Sequence, residues 1–174
     1  MKNKIIVDLD GTLINTKEAN KLAYEKTFKD LLNIDFDYDL YFGKSFDFIS
    51  NDLNLTANQV YEIKNHKKSI YPNFFNKAVV NEELVAILKN KKNEYEIILY
   101  TMASKDNTLN ILNYFNLCGL FNEIITVEDL QYRKPNIDGF KYILKDCKNY
   151  IIYEDDKEVI NELRKNNFNV IEVK

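Results

Sequence analysis

Near the start of the chain an apolar run ends in two acids one residue apart: Ile5-Ile6-Val7-Asp8-Leu9-Asp10-Gly11-Thr12-Leu13. Two carboxylates held this close oppose each other's ionisation unless a cation or a proton sits between them. The pair therefore asks for a hard cation such as Mg2+, which takes oxygen ligands. Gly11 can adopt backbone angles closed to other residues and so permits a sharp exit from the run. A chance D-x-D-G-T match at a strand end in a chain this long has a probability on the order of 0.001. That disfavours the plainer reading, in which the two acids only cap a turn.

What must position the pair is a sheet. Five short apolar or β-branched runs, at 4–8, 95–101, 122–127, 150–153 and 168–173, read as strands. Helical patterns alternate with them: 82–91 with Leu84, Ile87 and Leu88, 105–115 with Leu109, Leu112 and Phe115, 137–147 with Phe140, Ile143 and Leu144, and 156–165 with Val159, Ile160 and Leu163. Nearly continuous apolar strands joined by helical crossovers predict a parallel sheet covered on both faces, an α/β, Rossmann-like doubly wound core. Ligands of such sheets bind beyond the carboxyl ends of the strands, where Asp8 and Asp10 would emerge from the first one.

One interval breaks the alternation. From residue 14 to 81 there are helical patterns and no strand, too long a stretch for an ordinary connection, and it reads as a small helical cap inserted after the first strand. The expected division is therefore 1–13 with 82–174 as the core and 14–81 as the cap. Within the cap, Tyr24, Phe28, Leu31 and Leu32 share a helical face, and Thr56 can cap a second helix carrying Val60 and Ile63. Phe36, Tyr38, Tyr41, Phe42, Phe46 and Phe48 are expected to pack as the cap's own core.

With these residues in view, the chain resembles the haloacid dehalogenase superfamily, and its phosphatase branch in particular. The family's first motif, a hydrophobic strand and then Asp-x-Asp-x-Thr, is Asp8-Leu9-Asp10-Gly11-Thr12 here. The second, a Thr or Ser ending a hydrophobic strand, is met by Thr101 after Ile97-Ile98-Leu99-Tyr100. The third, a Lys commonly followed by Pro, is met by Lys134 in Arg133-Lys134-Pro135. The fourth, an acidic cluster ending another strand, is met by Ile151-Ile152-Tyr153-Glu154-Asp155-Asp156. Each of the later three is weak alone; together with the first, in order and at ordinary spacing, they are specific.

The resemblance implies roles. Asp8 is the nucleophile that forms an aspartyl phosphate, and Lys134 neutralises the phosphate's charge. Asp10 protonates the leaving oxygen and then activates water, while its backbone carbonyl helps bind metal. Thr101 donates its hydroxyl to a phosphate oxygen, beside backbone N–H groups of Met102 and Ala103 and the start of a helix that Ser104 caps. Asp155, with Asp8, is a direct Mg2+ ligand, and Asp156 or Glu154 binds through water. The cluster departs from the commoner Gly-Asp-x-x-x-Asp form, which leaves the assignment among Glu154, Asp155 and Asp156 open. Asn15 also departs, standing where many relatives carry Asp. Dehalogenating relatives lack an acid two residues after the nucleophile, because halide leaves without a proton, so Asp10 favours phosphoryl transfer. The helical insertion is similar to the caps that close over small soluble phosphate esters, and Gly43-Lys44-Ser45 resembles a cap loop that faces the active site in relatives. Lys44 is thereby a substrate-contact candidate, set against the simpler reading of a solvated lysine.

Bulk properties narrow the field further. At 174 residues, with 45% hydrophobic and 29% charged residues and only 2 Pro, the chain is expected to fold as one unit with an elaboration. A net charge of −3 without a basic cluster gives no footprint for nucleic acid, so the expected partner is a small-molecule phosphate ester. No apolar run approaches the roughly 20 residues that span a bilayer, so no membrane partner is expected. Asp8 and Asp10 interrupt the N-terminal apolar stretch before a signal peptide could form, which makes a cytoplasmic location the expectation. Cys118 and Cys147 lack metal-type spacing and read as reduced, structural thiols, His66 reads as a surface residue of the cap, and no feature specifies an oligomeric state. The expected activity is Mg2+-dependent hydrolysis of a phosphomonoester. The alternatives are a sugar phosphomutase, which shares every core residue, and a non-catalytic binding protein on the same fold. A nucleic acid end phosphatase is disfavoured by the acidic balance.

Overall fold

A computed structural model of the chain describes residues 3–145, 147 and 149–174. In chain order it runs β1 (Asn3–Val7), β2 (Ile14–Asn15), α1 (Lys17–Leu32), α2 (Tyr38–Tyr41), α3 (Phe46–Asp52), α4 (Ala57–Ile70) and a 3-10 segment at Tyr71–Lys77. It continues β3 (Val79–Val80), α5 (Glu82–Lys91), β4 (Tyr95–Tyr100), α6 (Lys105–Tyr114), β5 (Glu123–Ile125), α7 (Ile137–Leu144), β6 (Tyr150–Glu154), α8 (Lys157–Lys165) and β7 (Val170–Glu172). The chain divides into two units, Met1–Asn15 with Val79–Lys174, and Thr16–Ala78.

The frame of the first unit is a five-stranded sheet in the order β5-β4-β1-β6-β7. All its pairings are parallel, as the strand and helix alternation predicts. β1 lies at the centre, and this explains its composition. Successive side chains of a strand point to opposite faces, yet Ile5, Ile6 and Val7 are all buried, so both faces are covered. On one face Ile6, Ile98, Ile125 and Ile152 pack with Phe140, Ile143 and Leu144 of α7 and with Val159 and Leu163 of α8. Tyr100, at the end of β4, belongs to the same cluster and is fully buried.

The differences from the sequence reading have physical causes. β5 and β7 are shorter than the runs that predicted them, and both are sheet edges, where a strand finds ladder partners on one side only. The helix expected over 137–147 ends at Leu144 because Lys145 turns to extended backbone with ψ 136°; residue 146 lies outside the described residues. The interval 14–81 is not free of strands: β2 and β3 pair antiparallel, Ile14 opposite Val80 and Asn15 opposite Val79. Strands of two residues carry no period that a sequence could display. Asparagine does work elsewhere left to glycine: Asn33, Asn116 and Asn167 follow α1, α6 and α8 with φ of 52°, 56° and 58°, the left-handed conformation that asparagine tolerates.

The second unit is helical, with its own core of Phe28, Phe36, Ile49 and Ile63. Tyr24, Tyr38, Tyr41 and Phe46 pack against that core, as expected, and Phe28 stacks on Phe36 at 4.2 Å. Phe42 and Phe48 do not join it; they are 53% and 48% exposed. Leu31, at the end of α1, is also exposed. Thr56 caps α4 in a reciprocal capping box with Gln59. His66 corrects the surface reading: it is half-buried on α4, with its Nδ1 3.3 Å from the hydroxyl of buried Thr27 and its Nε2 3.5 Å from Asp30. Cys118 and Cys147 are both half-buried, and no disulfide joins them. Among the described residues no helix is long and apolar enough to cross a membrane.

The packing of α7 on β4 leaves no room for a side chain at Gly139. A Cβ built on Gly139 would stand 2.4 Å from the hydroxyl oxygen of Tyr100. Gly139→Ala is therefore expected to destabilise the protein by about 2 kcal/mol in urea unfolding, as overpacking does. Combining it with Tyr100→Phe, which removes the clashing oxygen, should recover part of the loss; no recovery would show that the strain lies elsewhere.

Candidate active site

The register of the sheet assembles the site. Val7 lies beside Leu99 of β4 on one side and Tyr153 of β6 on the other. The residues that follow, Asp8, Tyr100 with Thr101, and Glu154 with Asp155, thus leave the sheet at one carboxyl edge. The N–H of Asp8 still donates to the carbonyl of Tyr153 at 3.1 Å, which fixes the nucleophile candidate to the central ladder.

Lys134 arrives from the segment between β5 and α7. Its ammonium donates to Oδ1 of Asp8 at 2.6 Å and to Oε2 of Glu154 at 2.7 Å. The three side chains are only 6%, 11% and 2% exposed. Burying charge costs several kcal/mol per ion unless partners compensate, and here two anions share one cation. Burial drives the Asp8 carboxyl well above its ordinary pKa; Lys134 pulls it back, and Glu154 and Asp10 push it further up. Burial works against the charge of Lys134, but Asp8 and Glu154 outweigh it and hold the ammonium's pKa above the usual lysine range.

Carboxylate oxygens of Asp8, Glu154 and Asp155 lie within 4.8 Å of one another. Hard oxygen donors so grouped, with negative charge in excess, fit a divalent cation such as Mg2+. Asp155 is held in this group by the Thr12 hydroxyl, which donates to its Oδ1 at 2.7 Å. Gly11 makes room for it: the backbone turns there at φ +92°, and a Cβ would lie 2.1 Å from Oδ2 of Asp155. The second oxygen of Glu154 accepts the backbone N–H groups of Asp155 and Asp156, both at 3.2 Å.

The remaining candidates are placed as follows. Asp156 is not in the carboxylate group; its Oδ1 caps α8 by accepting the N–H groups of Glu158 and Val159 at 2.8 and 3.2 Å. Asp10 lies exposed in the turn after β1, bridged to Ile14. Thr101 is buried, and its oxygen accepts the N–H of Ala103 at 3.1 Å, a bond that uses a lone pair and not the hydroxyl proton. Met102 accepts the backbone N–H of Lys134 on its sulfur at 3.4 Å, and Ser104 caps α6 by accepting from Asn107. Lys44 lies in the second unit, exposed at the turn after α2, with its ammonium 5.4 Å above the Phe48 ring. The structure thus brings together Asp8, Lys134, Glu154 and Asp155, places Thr101 at the same edge, and leaves Asp156 as the cap of α8.

Sequence reasoning missed two features. Glu154 contacts Lys134 directly, and Thr12 reaches Asp155 across 143 positions. Neither contact has a local sequence signal, although Thr12 stands inside the first motif.

The sign of the electrostatics makes a test. The paired ammonium stabilises the fold below the ordinary lysine pKa, and that contribution is lost only as pH rises through its raised value. In Lys134→Met, Asp8 loses the charge that pulls its pKa down, so the buried carboxylate is costliest at high pH and is relieved as it takes a proton. For the protein in EDTA, the variant is expected to lose about 3 kcal/mol at pH 7 and less at pH 5, by urea unfolding. A loss that grows as pH falls would contradict the assignment.

Comparison with known proteins gives the site a context. A model of the haloacid dehalogenase-like hydrolase family matches residues 5–150. No curated protein matches in sequence. Among solved structures, a predicted phosphoglycolate phosphatase from Haemophilus somnus is 20% identical, with a TM-score of 0.83 over 98% of this chain and 84% of that one. CbbY from Rhodobacter sphaeroides, solved in complex with phosphate, is 18% identical, with a TM-score of 0.80 over 98% and 85%. A subfamily IA hydrolase of the same superfamily from Geobacter sulfurreducens is 15% identical, with a TM-score of 0.74 over 99% and 86%.

Proposed function

We propose that this chain, which belongs to the haloacid dehalogenase-like hydrolase family, is a phosphatase that hydrolyses a small-molecule phosphomonoester through an aspartyl phosphate on Asp8. The observation that carries the reading is Lys134 seated between Asp8 and Glu154, at the sheet edge where Thr101 also emerges. The Thr16–Ala78 unit is assigned as the cap, and Lys44 as its candidate substrate contact.

In the first step an oxygen of Asp8 attacks phosphorus, and the bond from phosphorus to the ester oxygen breaks. Asp10 gives that oxygen a proton, so the alcohol leaves neutral. In the second step Asp10 takes a proton from water, which attacks the phosphoryl group and releases inorganic phosphate and the Asp8 carboxylate. Lys134 offsets the charge on the phosphoryl oxygens throughout. Thr101 and the N–H group of Met102 are assigned to orient those oxygens, while the Ala103 N–H, which the sequence also offered, is given to the Thr101 oxygen. Asp8, Asp155 and Glu154, with the Asp10 carbonyl, would hold Mg2+, which when bound neutralises phosphate charge and lets an anion approach an anion. The placement of Asp156 on its helix cap supports leaving it out of the direct ligands.

Asp8→Asn, confirmed as folded, is expected to abolish Mg2+-dependent hydrolysis of an aryl phosphate. Asp10→Asn should lower kcat by about 10²- to 10⁴-fold, the usual worth of a general acid or base. Wild-type rates in Asp8→Asn would overturn the mechanism. A panel of small phosphate esters, beginning with phosphoglycolate, tests the substrate class. Release of inorganic phosphate is the expected product, and bisphosphate-dependent isomerisation would mark a mutase instead.

A further inference from the structure

We infer that Tyr100 is the positioning residue for Lys134, supplying an aromatic seat for the ammonium and a tether for the segment that carries it; the inference rests on the phosphatase reading only for its effect on rate. The Lys134 Nζ lies 5.1 Å from the centre of the Tyr100 ring and 5.8 Å from that of Phe140. The two rings meet edge to face at 5.1 Å, so each fixes the other's angle. The Tyr100 hydroxyl donates to the carbonyl of Tyr132 at 3.0 Å, two residues before the lysine. The residue after Tyr100 is Thr101, so one rigid strand end holds both phosphate-facing groups in register.

The core alone does not demand a tyrosine here. Ile97, Ile98 and Leu99 precede it in β4, all buried, and an aliphatic side chain would continue the pattern. What the ring adds is a face of negative potential toward a desolvated cation. That face matters because the partners of Lys134 change during the reaction. When Asp8 becomes an acyl phosphate it loses its negative charge, which departs on the leaving oxygen that Asp10 protonates, while the phosphoryl oxygens keep theirs, and the ammonium must stay in place to meet them. A seat made of neutral rings holds the cation without competing with phosphate for it.

The test keeps the shape and changes the charge distribution. Phenylalanine and its mono-, di- and trifluoro analogues are placed at position 100, all lacking the hydroxyl, so the series varies only the ring's face potential. The kcat/KM for an aryl phosphate is expected to fall stepwise, by about tenfold across the series; a flat series would overturn the seat. A second arm needs no substrate. Acylation of Lys134 in the metal-free protein, read by mass spectrometry, is expected to be only slightly faster in Tyr100→Phe than in wild type, since the ring stays and the tether alone is lost. In Tyr100→Leu it should be about tenfold faster, the loss of a contact of this kind, and unchanged protection there would overturn the seat as well. If the wild-type protein hydrolysed no ester, the phosphatase reading would fall, while the labelling arm would still decide whether Tyr100 holds Lys134.

Discussion

A single ammonium shared by two buried carboxylates organises the first unit. Lys134 sits within hydrogen-bond distance of Asp8 on the central strand and of Glu154 on its neighbour. Each anion would be costly alone in that environment, and each is tolerable because the cation lies between them. The cation is tolerable only because the anions are fixed, and they are fixed because β1 and β6 pair in register as far as Val7 and Tyr153, the residues just before them. Sheet register is thus a chemical constraint as well as a topological one. A slip of one residue would turn Asp8 toward the opposite face and leave Lys134 buried without its partner.

The negative charge left over after that pairing accounts for the surroundings. Asp155 adds a third carboxylate, and the fold spends specific contacts on keeping it there: a hydroxyl from Thr12, and a glycine at position 11 whose missing Cβ leaves the space it occupies. Holding like charges together in this way opposes stability and makes sense as preparation for a cation, whose binding to the folded state alone would return the energy. The proposed metal role of the cluster and its cost to the fold are two readings of one arrangement.

How much of this was legible in the sequence follows from the range of each interaction. The parallel sheet and its helices were readable because burial on both faces imposes long apolar runs and amphipathic periods, as in Ile5 to Val7 and in α8. The ribbon of Ile14–Asn15 with Val79–Val80 was not, since two residues hold no period. Asp8 and Asp10 were picked out by their place at a strand end, and Thr101, Lys134 and Asp155 by their match to the later motifs of the family the chain resembles. The bond from Lys134 to Glu154 was not, because it depends on how far a side chain reaches after the sheet has closed. His66 was misread for the same reason: its partners, Thr27 and Asp30, lie on another helix, and a lone histidine in a polar stretch looks solvated until α1 and α4 pack.

Tyr100 shows why such residues escape a reading by motif. At the sequence level it is one more hydrophobic position in a β-strand, and its burial would justify any large apolar residue. Its distinctive atoms are the ring face and the hydroxyl, and both are directed at the same short segment, one at the side chain of Lys134 and one at the carbonyl of Tyr132. Two independent contacts from one side chain to one loop restrict that loop more than either would alone, since each removes a different freedom: the ring limits where the ammonium can go, and the hydrogen bond limits how the backbone can rotate. With the carboxylates placed by strand register and the ammonium placed by Tyr100, the charges of the site are set before any ligand arrives, which is the condition under which electrostatic stabilisation of a transition state costs no reorganisation.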